Sequence, residues 1–215
     1  MKVLVVGANG KIGKQIVSLL GSSDQYTVRA MIRKEEQAQA LEKLGAETII
    51  ADLETETGVK EAANGCDAII FTAGSGGHTG ADKTMLVDLD GAFKTIEAAE
   101  EHHIKRFIMV SALHSDDPDQ WKEGMEHYYT AKRRADERLR NSELPYTILR
   151  PGWLTNDPGK GTIEARTHLG KDGSIPRQDV AQVAVEALQC EATYHKTIEI
   201  IEGDEPIHQA LQSFN

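Results

Sequence analysis

Short apolar runs alternate with longer segments of helical periodicity along most of the chain. The runs are VLVVG from Val3, YTVRAMI from Tyr26, AETIIA from Ala46, DAIIFTAG from Asp67, RFIMVS from Arg106 and YTILRP from Tyr146. Short runs rich in aliphatic and β-branched residues predict strands buried on both faces. Between them, Ile12, Ile16, Val17, Leu19 and Leu20 mark one apolar helix face, and Met85, Leu86, Leu89, Phe93, Ile96 and Ala99 mark another. Strand and helix in alternation predict an α/β fold, a doubly wound parallel sheet covered by helices on both faces. Ligands are expected at the carboxyl ends of its strands. After Pro151 the rhythm loosens into a polar stretch over 156–173. Pro176 then opens a helix to about Gln189, and a strand in KTIEIIEG and a short helix follow. Residues 151–215 are expected to form a small substrate lobe within a single domain spanning 1–215.

Composition narrows the function classes. A chain of 215 residues has room for one full core. With 34 acidic against 24 basic residues the net charge is -10, which argues against nucleic acid or an anionic membrane as partner. Any phosphate must be met by local features, so the expected partner is a small molecule. Cys66 and Cys190 have no paired spacing and read as reduced thiols, pointing to the cytoplasm. The apolar run at Val3 is interrupted by Gly7, Asn9 and Gly10 too early for a signal peptide, and no run approaches the roughly 18 residues of a membrane span. The eight histidines show no ligand spacing, so no metal is expected. Oligomeric state is not encoded in any readable pattern.

The first strand and first helix are joined by GANGKIG, with glycines at 7, 10 and 13. Gly7 permits a tight turn, Gly10 lets backbone approach a pyrophosphate, and Gly13 allows close helix packing. The free N–H groups at the start of the helix then hold the anion. At the end of the second strand stand Ile32-Arg33-Lys34 rather than an acid, a choice that favours the 2'-phosphate of NADP(H) over the free ribose of NAD(H), which stays possible.

Tyr128 and Lys132 lie four apart in a segment, 127–140, of helical character, so both project from one face. The ammonium is expected to lower the phenol pKa toward a value useful for proton transfer. Ser111, at the carboxyl end of the fifth strand, is placed to hydrogen-bond a substrate oxygen. Tyr129, four residues before Arg133, is the rival, about 100° around the helix. The acidic loop 114–123 reads as a lid or a plain surface loop, with His114 and, beyond it, Trp153 as further contacts to a pocket.

Together GANGKIG, Asp52-Leu53, Thr72-Ala73-Gly74, VSA with Ser111, Tyr128 with Lys132, and RPGWL at 150–154 resemble the short-chain dehydrogenase/reductase superfamily, in its small atypical, epimerase/dehydratase-like branch with a Rossmann fold. The resemblance covers nearly the whole chain. It implies a cofactor site made by Gly7, Asn9, Gly10, Lys11, Ile12, Gly13 and Arg33, with Asp52 and Leu53 at adenine and Thr72, Ala73 and Gly74 along the cofactor. Pro151, Gly152 and Leu154 would flank nicotinamide, and Lys132 would hold its ribose. The implied catalytic set is Ser111, Tyr128 and Lys132, serving an NADP(H)-dependent oxidoreductase or epimerase acting on a small carbonyl or hydroxyl compound. A non-catalytic NADP(H)-sensing regulator is the alternative. Asp88 stands where members of the family often carry Asn, and the tail is shorter than in sugar-nucleotide epimerases.

Overall fold

The computed structural model describes residues 1–55, 57–77 and 79–214. Its elements in chain order are β1 (Lys2–Val6), α1 (Lys11–Gly21), β2 (Thr27–Ile32), α2 (Ala38–Glu42), β3 (Ala46–Ile50), α3 (Thr57–Ala63), β4 (Ala68–Phe71) and α4 (Ala81–Lys83). A π-helical segment, Thr84–Asp90, leads into α5 (Gly91–Glu101), followed by β5 (Arg106–Val110), α6 (Glu126–Arg140), β6 (Tyr146–Pro151) and β7 (Trp153–Thr155). The chain continues through β8 (Thr162–Arg166), β9 (Ser174–Pro176), α7 (Arg177–Ala187), β10 (Lys196–Glu202), β11 (Glu205–Pro206) and α8 (Ile207–Gln212).

The main sheet runs β11-β8-β10-β6-β5-β4-β1-β2-β3. From β3 to β10 every pairing is parallel, and β8 closes that edge antiparallel to β10. The doubly wound α/β fold expected from the alternating pattern is therefore present, with its order reversing between β1 and β4. That reversal opens a crevice at the strands' carboxyl ends, the usual binding position in such sheets.

Strand residues alternate between two cores. Val3 and Val5 face one layer with Ile16, Leu20 and Val183, while Leu4 and Val6 face the other with Ile96 and Leu139. This period of two, buried on both sides, is why the strands read as continuous apolar runs. Arg106 crosses the first layer with no carboxylate beside it among the described residues. Its guanidinium donates to the carbonyls of Ala187 and Pro145 and to Thr147 and Thr193, and burial lowers its pKa to about 10.

Three details depart from the pattern. Leu19 is exposed despite its place in the apolar set of α1. Met85 and Leu86 also face solvent, at 44% and 38% exposure, because the π-helical segment widens the turn and presents Thr84, Val87 and Asp88 inward instead. The polar stretch 156–173 contains β8, a strand whose Ile163 and Ala165 are buried while Thr162, Glu164 and Arg166 are not. The tail thus extends the main sheet and adds a small parallel pair, β7 with β9.

Candidate cofactor groove and reactive end

The turn after β1 leaves no space for side chains. A Cβ built on Gly7, whose φ is +87°, would lie 2.6 Å from Ala73 N and 2.8 Å from Thr72 C. One built on Gly13 would lie 2.2 Å from Gly7 O. The turn is closed by Gly10 N–H donating to Gly7 O at 2.9 Å, and α1 begins without a side-chain cap or an acid in its first turn. Its first amide donors are therefore offered to whatever occupies the turn.

From this turn a groove of about 340 Å³ runs along the carboxyl ends of β1, β2, β3 and β4. Gly7, Asn9, Gly10, Arg33, Asp52, Leu53, Thr72, Ala73 and Gly74 all line it. Arg33 projects into it with its backbone N–H bound by Gln37 Oε1 at 3.0 Å, and its guanidinium engages no carboxylate among the described residues. Asp52 turns its carboxylate to Glu54 N–H at 3.0 Å, fixing the loop that carries Leu53. The cradle, the uncapped helix start and the free cation at the far end fit a dinucleotide.

Some groove residues lacked a readable signal. Gln37 holds both Arg33 and Lys34 amides, a cap visible only once the turn is built. Lys83 reaches both oxygens of Glu54 at 2.8 Å from 29 residues away. Ser75, Thr79, Met31 and Val87 complete the walls. Conversely, several expected residues lie off this groove. The Ile12 side chain is buried, the Lys11 ammonium turns away to Asn156 Oδ1 at 3.4 Å, and Gly13 packs on Gly7. Pro151, Gly152 and Leu154 sit farther along, at the end of β6, where Gly152 abuts Gly173 O and Leu154 O accepts from Arg177.

At that end the structure gathers a charged cluster. Lys132 Nζ lies 3.0 Å from Asp88 Oδ1 with the side chains 6% and 1% exposed, and 5.7 Å from the centroid of the Tyr128 ring. The other Asp88 oxygen accepts Ser75 N–H at 2.8 Å, tying the π-helical segment to the loop after β4. One helical turn behind, buried Asp136 accepts from Arg150 Nε at 2.9 Å, and Arg150 also pairs with Asp116. Burial pushes the Asp136 carboxyl above its ordinary value against the opposing Arg150, and the buried Ser111 hydroxyl has no hydrogen-bond partner among the described residues. Tyr129 is buried and stacked on Trp121 at 5.7 Å, so the rival tyrosine is a packing residue, whereas Tyr128 stands beside Lys132.

The electrostatics correct one expectation. Burial pushes the Tyr128 phenol above its ordinary value; Lys132 opposes this, but Asp88 and Asp136 add to it, and the net direction is upward rather than downward. Lys132 itself resists its burial because Asp88, Tyr128 and Asp136 hold its proton.

The acidic loop is pinned over this region. Trp121 Nε1 donates to His114 O at 2.9 Å, His114 Nε2 lies 3.0 Å from Asp172 Oδ1, and Lys122 Nζ sits 3.5 Å above the Trp153 ring. Trp153, 43% exposed, thus meets the loop across the mouth rather than filling the core.

Comparison with known proteins agrees with this geometry. Residues 7–191 match the family model described as NAD(P)H-binding. The chain belongs to this family. It is 52% identical over 213 residues, 99% of both chains, to a Bacillus subtilis (strain 168) protein named uncharacterized sugar epimerase YhfK. A solved structure from Bacillus halodurans, named for an NAD-dependent epimerase/dehydratase, superposes with a TM-score of 0.95 at 46% identity over 99% of both chains. The oxidoreductase ylbE from Lactococcus lactis superposes with a TM-score of 0.87 at 33% identity, covering 99% of this chain and 96% of that one. The family thus joins proteins named as epimerases with proteins named as oxidoreductases, on one Rossmann scaffold. Among the described residues no helix is long and apolar enough to cross a membrane.

Proposed function

We propose that this protein is an NADPH-dependent oxidoreductase that acts on a small carbonyl or hydroxyl compound. The observation that carries the reading is the placement of Tyr128 and Lys132 together at the carboxyl end of the sheet, beyond a groove whose other end presents Arg33, which engages no carboxylate among the described residues. The first-turn amides of α1 and the glycines of the turn hold the pyrophosphate, and Arg33 takes the 2'-phosphate, with NADH as the weaker ligand. When bound, the cofactor supplies or accepts a hydride.

Tyr128 then transfers the proton to or from the substrate oxygen, and Lys132 holds the nicotinamide ribose. Ser111, whose buried hydroxyl has no hydrogen-bond partner among the described residues, orients the substrate oxygen. Pro151, Gly152 and Leu154 wall the nicotinamide side, and the loop pinned by Trp121 limits access of water. An epimerase would use the same groups for an oxidation followed by a re-reduction. The half-buried, proton-holding Tyr128 favours the one-way reductive use.

The test is Tyr128→Phe. Removing one oxygen should abolish NADPH oxidation across a panel of aldehydes, ketones and quinones that the parent reduces, while NADPH affinity stays within a factor of two or so. Undiminished turnover in the variant would rule Tyr128 out as the proton donor.

A further inference from the structure

A phenol that gives up its proton easily needs a cation whose charge is free to stabilise the phenolate. Around Tyr128 the cations are already engaged. Lys132, one turn along α6, is bound by Asp88 from the π-helical segment at 3.0 Å. Arg150, from β6, is bound by Asp136 of α6 and by Asp116 from the loop after β5. Of the charges that act on Tyr128 itself, one cation, Lys132, stands against two buried carboxylates, Asp88 and Asp136, while Arg150 and Arg140 face Asp136 and Asp116 instead. No net positive charge is left for a phenolate.

Anchoring the loop after β4 needs no charge at position 88. An Asn could keep the hydrogen bond that Asp88 Oδ2 accepts from Ser75 N–H, but not the charge that faces Lys132. The carboxylate therefore does something that loop anchoring does not require.

We propose that Asp88 is a positioning residue that neutralises Lys132, keeps Tyr128 protonated, and so commits the site to giving a proton in carbonyl reduction rather than taking one in alcohol oxidation. The inference rests on the reading of Tyr128 as the proton-transfer group. In the forward step the carbonyl carbon gains a hydride from bound NADPH, which is oxidised to NADP⁺. The C=O π pair moves onto oxygen, that oxygen takes the Tyr128 proton, and the product is the alcohol. Solvent returns the proton to the phenolate, which Asp88 makes a strong base and hence quick to recharge.

The experiment reads the phenol directly and needs no substrate. The five tyrosines are replaced by 3-fluorotyrosine, whose phenol titrates at lower pH, and each ¹⁹F resonance is followed against pH in nucleotide-free protein. Tyr128→Phe identifies the resonance of interest. Asp88→Asn should lower the Tyr128 midpoint by roughly one to three units, the effect of freeing a neighbouring cation, and Lys132→Met should raise it. Asp88→Ser, smaller and also uncharged, serves if the Asn variant does not fold. A midpoint that stays in place or rises in the uncharged Asp88 variants would overturn the proposal. Because the titration is done without nucleotide, that result is separable from a failure of Tyr128→Phe to abolish turnover, which would instead overturn the proposed function.

Discussion

Gly13 offers a perturbation on which two physical effects oppose each other. It lies in the first turn of α1, where replacing Gly by Ala should favour the helix by about 1 kcal/mol. The same Cβ would be driven to 2.2 Å from Gly7 O, 2.8 Å from Ala8 Cα and 2.9 Å from Ala8 C. All three are backbone atoms of the phosphate turn, which cannot rotate aside as a side chain would. Overpacking typically costs about 1 to 3 kcal/mol, and a fixed backbone neighbour places this site at the upper end, about 3 kcal/mol. The balance is a net loss of about 2 kcal/mol, or roughly 4 to 8 °C in Tm for a domain of this size. Thermal unfolding read by circular dichroism gives the first number, and NADPH titration should show weakened binding because α1 is pushed off the turn. Gly10→Ala is the control for the melting measurement alone, since its Cβ meets Gly7 O at 3.1 Å and Gly10 itself lines the groove. A Gly13→Ala protein that melts at or above the parent would mean that helix propensity wins and that the close helix-to-turn contact does not require glycine.

Other consequences follow from the same structure. Arg106→Met should lower stability to urea by about 1 to 3 kcal/mol, because the carbonyls of Ala187 and Pro145 lose their buried donor. The Asp116 carboxyl is held below the ordinary aspartate value: burial opposes this, but Arg150 outweighs it. A depressed carboxyl stabilises the fold above its unfolded pKa of about 4 and loses that contribution as pH falls through the folded value. Asp116→Asn should therefore be destabilised at pH 7 and approach the parent in acid, as measured by urea unfolding at both pH values. Trp121→Ala removes the stack on Tyr129 and the bond to His114 O, so limited proteolysis should cut within 114–125 faster than in the parent.

Much of the fold was legible because its signals are local. Val3 to Val6 and Ile69 to Phe71 alternate between two cores and so read as unbroken apolar runs, and the glycines at 7 and 13 declare a turn that only a missing Cβ allows. Legibility failed where a local irregularity or a distant partner decides the outcome. The π-helical segment shifts the buried face from Met85 and Leu86 to Val87 and Asp88, which a strict 3.6 period does not anticipate. The i,i+4 spacing of Tyr128 and Lys132 placed the two side chains on one face correctly. It could not show that burial pushes the phenol up against the lysine, nor that Asp88, far upstream, pairs with that lysine and adds to the rise. The Glu54–Lys83 pair and the Trp153–Lys122 contact are likewise products of tertiary closure.

The most direct measurement is a paired fluorescence titration of the purified protein with NADPH and NADH, repeated on Arg33→Ala. Loss of one charge-assisted phosphate contact is worth about 1.5 to 3 kcal/mol, roughly ten- to hundredfold in Kd. The account predicts that the parent prefers NADPH and that Arg33→Ala weakens NADPH by this factor while leaving NADH almost unchanged. Equal affinity of the parent for the two nucleotides, or an equal loss of both in the variant, would contradict it.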